Sequence, residues 1–478
     1  MLFNSITFLI FLPIVFAIYW SLHRQLRWQN IFVVIASYVF YGWWDWRFLV
    51  LIAFTTVCSY ISGLLIENAH SRRWSRTYMW LNISINVAIL CLFKYFDFFA
   101  ANFAAMLAAV GIHTDAVTLH LVLPVGISFY TFQALSYSID VYRGKISATH
   151  DPIAFFAFIS FFPQLVAGPI ERATNILPQF SRQRKFDYKM AVSGLQLMLW
   201  GFFKKMVIAD NVAPYVDSVF NNYASCGALT LFAAAIQFTI QIYCDFSGYS
   251  DIGIGTARLF GIQLMRNFHL PYFSRSVNEF WRRWHISLMS WFRDYIYIPL
   301  GGNRVKKHKI VRNTMIVFLI SGLWHGAMWT FVFWGAYSGL TLLPAVIRGR
   351  KDSYKGTIAG GDRKLPSFYE SLLMGRTFLI VLLGWILFRA LTVADAWNYI
   401  TGMFTRWGTH TPVEGKETFI WIILLFVAEW LSRHRESPLC FAGNGLMRYR
   451  AARWTVYWLV CVIILLFFRI QSFIYFQF

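Results

Sequence analysis

Residues 313–347 read NTMIVFLISGLWHGAMWTFVFWGAYSGLTLLPAVI, a run without a single Lys, Arg, Asp or Glu. A hydrocarbon core of roughly 30 Å takes about 20 helical residues at 1.5 Å each, so the run is too long for one crossing. Basic clusters flank it on both sides, with Arg304, Lys306, Lys307 and Lys309 before it and a Lys- and Arg-containing loop after it. Two basic ends favour the same face of the membrane, which predicts a tight hairpin with His325 at mid-depth on one arm. Burial in a low dielectric disfavours an imidazolium, so this ring is held neutral with one nitrogen able to accept a proton, the state a general base needs. The plainer reading is a packing histidine satisfied by nearby backbone or hydroxyl groups. Intramembrane polar residues are costly and tend to be kept for function, so both readings stand at this point.

The rest of the chain agrees with the membrane reading. Of 478 residues, 58% are hydrophobic and only 14% charged, which predicts an all-α polytopic membrane protein forming one integral domain over 1–478. Core motifs fall in 121–345 and further helices in 370–478. The first run, 2–20, is free of charge and lacks a basic n-region and a small-residue cleavage site, so it reads as a retained span rather than a signal peptide. Net charge +21 does not point to nucleic acid here, because the basic residues cluster between apolar runs and suit cytoplasmic loops against anionic headgroups. Six cysteines form neither a disulfide framework nor a metal-ligand spacing.

Hydropathy places further spans near 31–44, 48–66, 78–98, 119–141, 191–209, 228–247, 372–391, 417–431 and 454–476, for roughly ten to twelve passages in all. Arg24 and Arg27 put the N-terminus outside, and Arg72, Arg73 and Arg76 then fall inside. Residues 153–167 are apolar but short and interrupted by Pro163, with Pro169 just beyond, and read as re-entrant or buried. Residues 273–302 mix aromatic rings with Arg275, Arg282, Arg283, Arg293 and Asp294, the pattern of an interfacial helix or a funnel lining. Residues 349–367 form the clearest soluble loop. There is no internal repeat, which argues against a transporter built from repeated halves.

Three polar groups accompany His325. In the first, His285 follows Trp281, Arg282, Arg283 and Trp284; guanidinium forks beside aromatic faces can hold phosphates and stack on an adenine, or the arginines can simply reach lipid headgroups. The second, YCDFSGYSDIGIGTARLFGI, carries Asp245 and Asp251 with Gly248 between them, which suggests a helix break. These aspartates suit helix capping and pairing with arginines such as Arg258; no third or fourth ligand falls at a metal spacing, so no metal is expected. The third places Ser128, Tyr130, Gln133, Ser136, Tyr137 and Asp140 on one span, either lining a polar passage or stitching helices together.

In order, PVGISFYTFQALSYSIDVYRG, FFPQLVAGPIER, CDFSGYSDIGIGTARLFGI, FWRRWHISLMSWFRDYIYIPLGGNR, GLWHGAMWTFVFWG, GWILFRA and the terminal FIYFQF resemble the membrane-bound O-acyltransferase superfamily, in its bacterial polysaccharide branch of alginate O-acetyltransferases. The resemblance covers nearly the whole chain, apart from 349–367 and 405–416. It implies helices around a central tunnel and transfer of an acyl group from cytosolic coenzyme A to an acceptor on the other face. His325 matches the histidine of its WHG motif and His285 that of RWH, with Trp281, Arg282, Arg283, Trp284, Arg293, Asp294, Trp324, Asp245 and Asp251 around the substrates.

The resemblance further implies acetyl-CoA as donor substrate, no permanently bound cofactor, the bacterial inner membrane, and a separate periplasmic acetyltransferase as partner, docked at the outer face and at IQSFIYFQF (470–478). Candidate donors to the oxyanion are His285, a backbone N–H near Gly326, or an arginine. No cysteine or serine is paired with His325 in the sequence, which favours direct transfer over an acyl-enzyme. Teichoic-acid D-alanylation and peptidoglycan O-acetylation proteins share the histidine motifs, and a transporter or a membrane scaffold is the rival from another class.

Overall fold

The computed structural model describes residues 1–166, 168–349, 354, 356–409, 411–441, 445–469, 471 and 473–474. Among them all regular structure is helical. Compactness divides the chain into two units, Met1–Gly194 with Thr256–Met265 and Leu195–Gly255 with Arg266–Phe478, and each is described by itself.

The first unit opens with α1 (Ile6–Ser21), α2 (Leu26–Gly42), α3 (Phe48–Glu67), α4 (Arg72–Lys94) and α5 (Phe96–Ala109). Ser5 starts α1 by accepting the Phe8 N–H at 3.2 Å, satisfying one of the orphan donors of the first turn. Along α1, Ile6, Leu9, Ile10 and Ile14 are each more than half exposed while Phe8 and Tyr19 are buried. An aliphatic stripe turned outward is a liability in water and a match for lipid. Then come α6 (Ile127–Tyr142), α7 (Pro152–Ser160), α8 (Phe162–Leu165) and α9 (Ala173–Phe180).

The expected span at 119–141 becomes helical only at Ile127. Pro124 precedes it, and Gly126 sits at φ 76° with the Leu165 carbonyl where its side chain would stand. The α6 hydroxyls stitch helices: Asn82 donates to Ser138 Oγ at 2.8 Å, Tyr137 accepts the Thr149 N–H at 3.1 Å, and its ring packs where Gly63 has no side chain. The stretch around 153–167 is buried as expected, with Phe155, Phe158 and Phe161 fully enclosed and Pro163 in the first turn of α8.

The later helices are α10 (Tyr188–Phe202), a π-helical turn at Phe203–Ala209, α11 (Asp210–Asn221), α12 (Ala228–Leu259), α13 (Val277–Arg283), α14 (Ile286–Phe292), α15 (Lys307–His325), α16 (Trp329–Ile347), α17 (Phe368–Arg389), α18 (Val393–Thr405), α19 (Thr418–Leu431) and α20 (Arg450–Leu466). Gly248 does not break α12, which runs unbroken for 32 residues. Its place is instead a close crossing, where Gly248 and Gly201 each lack the Cβ that would strike the other's carbonyl oxygen.

Among the described residues, six helices are long and apolar enough to cross a membrane: α3, α4, α12, α16, α17 and the continuous Tyr188–Asn221; α1, α5 and α19 are shorter apolar helices. The 313–347 run folds as the expected hairpin of α15 and α16. Its arms approach at glycines, Gly322 against the Phe331 carbonyl and Gly335 against the Phe318 carbonyl.

Candidate active site

His285 is held by a small knot of backbone and side chain. Helix α13 starts where Ser276 accepts the Glu279 N–H and ends at Arg283, after which the chain turns through His285 at φ 44°, in the left-handed region. That conformation costs a non-glycine residue on the order of 1 kcal/mol or more and persists only where its surroundings fix it. Asn267 does so: its carbonyl accepts the Ile286 N–H at 2.9 Å, and its Oδ1 accepts Ser287 Oγ at 2.9 Å and His285 Nδ1–H at 3.0 Å. An amide oxygen can only accept, so the proton of the neutral ring sits on Nδ1 and Nε2 carries the lone pair. Burial lowers the imidazole pKa to about 3, which keeps the ring neutral. Phe246 meets it edge-on at 4.7 Å and Phe268 stacks at 6.3 Å.

His325 stands at the turn of the hairpin rather than at mid-arm, because α15 ends on this residue. Gly326 follows in extended backbone, and the Phe331 ring fills the space where a side chain at 326 would lie. Trp324, Trp334 and Phe388 surround the imidazole edge-on at 4.9, 5.0 and 5.3 Å. Trp324 also meets His285 at 5.9 Å. One indole therefore separates the two histidines, which lie 40 positions apart in sequence.

The remaining sequence candidates divide by burial. Trp281 and Trp284 are core aromatics, Trp281 against Phe318 and Trp334, and Trp284 against Phe280 and Trp385, so neither offers a surface face for an adenine. The segment 273–302, expected as an interfacial helix or a funnel lining, folds as α13, α14 and their flanking turns, with Trp281, Arg283 and Trp284 buried. Arg275, Glu279 and Arg283 share one face at i, i+4 spacing, and Glu279 accepts from Arg275 at 3.1 Å and from Arg283 at 2.8 Å inside the protein. Both guanidinium groups also donate to the Thr357 carbonyl, which ties down part of the 349–367 loop. Arg282 is exposed, and Arg293 is mostly exposed and paired with Asp294 at 2.7 Å.

Asp245 and Asp251 pair with lysines rather than arginines. Lys205 lies 2.5 Å from Asp245 and 2.7 Å from Asp210, while Lys204 lies 2.7 Å from Asp251 and 2.8 Å from Ser247. Both lysines come from the π-helical turn, inside a predicted span. A charged residue in an apolar span must find a partner, so consecutive lysines at 204 and 205 were the signal for this network. Asn267 had no such signal. Of the terminal segment, Phe473 is buried against Tyr249 and Phe246 and Ile474 donates its N–H to Asp245, so these two residues do not form a docking surface; 470, 472 and 475–478 lie outside the described residues.

A cavity of about 670 Å³ opens among α13, α16 and α17, lined by Arg275, Asn278, Arg348, Tyr354, Tyr369 and Arg376. Val277, Thr341 and Ile380 line both this cavity and a second of about 10 Å³, which reaches Trp281, Trp334, Tyr337 and Trp385. Trp334 in turn touches His325. A basic vestibule thus shares part of its wall with a space the size of one water, beside the ring that touches His325.

An imidazole enclosed by Trp324, Trp334 and Phe388, one indole from a second histidine, suits proton transfer, and residues 145–350 match the model of the MBOAT, membrane-bound O-acyltransferase family. The chain belongs to that family of multi-pass membrane acyltransferases. It is 41% identical over 409 residues to the probable alginate O-acetylase AlgI of Pseudomonas aeruginosa, covering 85% of this chain and 75% of that protein. The peptidoglycan O-acetyltransferase of Helicobacter pylori is 36% identical, over 84% of this chain and 80% of its own length. The teichoic acid D-alanyltransferase of Streptococcus thermophilus is 27% identical, over 57% and 69%.

Proposed function

We propose that this protein is an inner-membrane O-acetyltransferase that takes acetyl from cytosolic acetyl-CoA and passes it across the bilayer for O-acetylation of an exopolysaccharide such as alginate. The observation that carries the reading is His325 at the hairpin turn, one indole from His285, with a vestibule lined by Arg275, Arg348 and Arg376 sharing its wall with a small cavity beside Trp334. The phosphates of coenzyme A bind in that vestibule, against cations and two tyrosine rings.

A thioester carbonyl is already activated, so the main task is to deprotonate an incoming hydroxyl. His325 takes that proton as the oxygen bonds to the carbonyl carbon. The carbon–sulfur bond then breaks, and the thiolate recovers a proton. General base catalysis of this kind is worth roughly two to four powers of ten. The tautomer fixed by Asn267 leaves His285 Nε2 as an acceptor, which favours a backbone N–H near Gly326 over His285 as donor to the oxyanion.

The chain crosses the membrane ten to twelve times in this proposal, with basic loops in the cytoplasm and a separate periplasmic acetyltransferase receiving the acetyl group. The relative from Helicobacter pylori makes peptidoglycan the second candidate acceptor. His325→Ala tests the reading: in cells carrying only that variant, membrane levels of the protein should be normal and polymer acetate absent. Near-normal acetate would sink it.

A further inference from the structure

Arg184 carries a positive charge into the first unit with only neutral groups to receive it. It is 6% exposed, and its guanidinium donates to Gln29 Oε1 at 2.9 Å, to Asn30 Oδ1 at 2.5 Å and to the Gln179 carbonyl at 3.3 Å. The buried Lys204, Lys205, Arg275 and Arg283 are, by contrast, each paired with an acidic side chain. A buried charge without such a partner is costly unless a counter-charge is supplied from elsewhere.

The bonds from Arg184 join the segments 22–30 and 179–186, and Gln183 Nε2 adds to the join by donating to the His23 carbonyl at 3.1 Å. Together the two segments hold Arg24, Arg27, Arg182, Arg184 and Lys185 and no Asp or Glu. All but Arg184 are exposed, and none of the five is paired with a carboxylate among the described residues. Trp28 and Phe186 are exposed in the same two segments, and the Phe186 ring meets Trp20 of α1 at 5.3 Å. Along α1 itself, Ile10, Ile14 and Ile18 face outward as one stripe that stops a turn short of the cations. An aliphatic wall, then aromatic rings, then cations is the order of acyl chain, glycerol and phosphate in a phospholipid.

We propose that the turn between α1 and α2, with the 179–186 segment, binds an anionic phospholipid of the cytoplasmic leaflet, its phosphate held by Arg24, Arg27, Arg182 and Lys185 in the field of Arg184. A free phosphate would use the cations alone. The rings and the isoleucine stripe select a lipid.

Native mass spectrometry of the detergent-solubilised full chain tests this, with phosphatidylglycerol and phosphatidylethanolamine added in equal amounts. The wild type should retain the anionic lipid at least about tenfold over the zwitterionic one, since each basic residue near the headgroup adds about fivefold to the attraction. Arg24→Gln combined with Arg27→Gln and Lys185→Gln, all at exposed positions, should bring the two lipids within about threefold of each other. Arg304→Gln combined with Lys306→Gln and Lys307→Gln removes as many exposed cations elsewhere and should leave the preference intact. No preference in the wild type, an unchanged one in the first triple variant, or an equal loss in both would overturn the site. Displacement of phosphatidylglycerol by millimolar inorganic phosphate would overturn it as well, because the ligand would then be a free anion and not a lipid.

Discussion

Asp245 accepts the backbone N–H of Ile474 at 2.6 Å, joining two residues 229 positions apart in sequence. The same carboxylate meets Lys205, so one side chain neutralises a buried lysine and fastens the segment whose Phe473 packs on Phe246, the ring beside His285. Asp245→Asn removes the charge and leaves Lys205 with Asp210. Breaking a buried pair in this way costs about 3 kcal/mol. The thermal unfolding midpoint in detergent should fall accordingly, and adding Lys205→Met should lower it further, since the buried Asp210 then loses its lysine. A double variant as stable as the single one would show that Asp210 does not depend on Lys205.

Asn267 should matter to catalysis more than to folding. Asn267→Leu keeps the side-chain volume but deletes the acceptor that orients His285, which positions Trp324 beside His325, and misplacement within an active site by about 1 Å can cost 10²-fold. Polymer acetylation should fall by about that factor at unchanged protein level. Asn267→Asp, which still accepts from Nδ1–H, should retain more activity than Asn267→Leu.

Gly326 is needed for space, not for its backbone angles. Gly326→Ala drives a methyl into the Phe331 ring and should cost about 1–3 kcal/mol in stability. Combining it with Phe331→Val should restore stability in a melting experiment, whereas a strained backbone would not respond to a smaller neighbour.

The arginines of the RWH segment should separate. Arg283→Gln unbalances Glu279 and the Thr357 loop and should destabilise the protein by about 3 kcal/mol. Arg282→Gln, at an exposed position, should leave the melting temperature within experimental error. Weakened coenzyme A binding is expected from Arg348→Gln and Arg376→Gln, which line the vestibule, and calorimetry on the solubilised protein distinguishes these effects.

Much of this architecture was legible in the sequence because charge is so costly in lipid. The hairpin at 313–347 followed from an uncharged run between basic flanks, and the burial of the described part of 153–167 from apolar residues interrupted by proline. Gly248 misled because glycine serves equally to end a helix and to let two helices touch, and only the neighbour at Gly201 decides between them. The aspartates were visible but not their partners, since pairing across 40 and 47 positions depends on how the π-helical turn after α10 meets α12. Asn267 was invisible for a related reason: an asparagine in a short polar loop has the same local signature whether it faces solvent or a histidine.

The hairpin has a consequence for how the protein is made. Both of its ends lie beside basic residues, so the positive-inside rule expects it to add no net crossing and α17 to begin on the face from which α15 departed. Helix α16 qualifies as a membrane span by its own hydropathy, whereas α15, with Lys307, Lys309 and Arg312 in its first turns, does not. The arm that ends in His325 therefore depends on its successor to enter the bilayer. Insertion is then expected to require both arms together, and a chain truncated after residue 326 should leave α15 outside the bilayer.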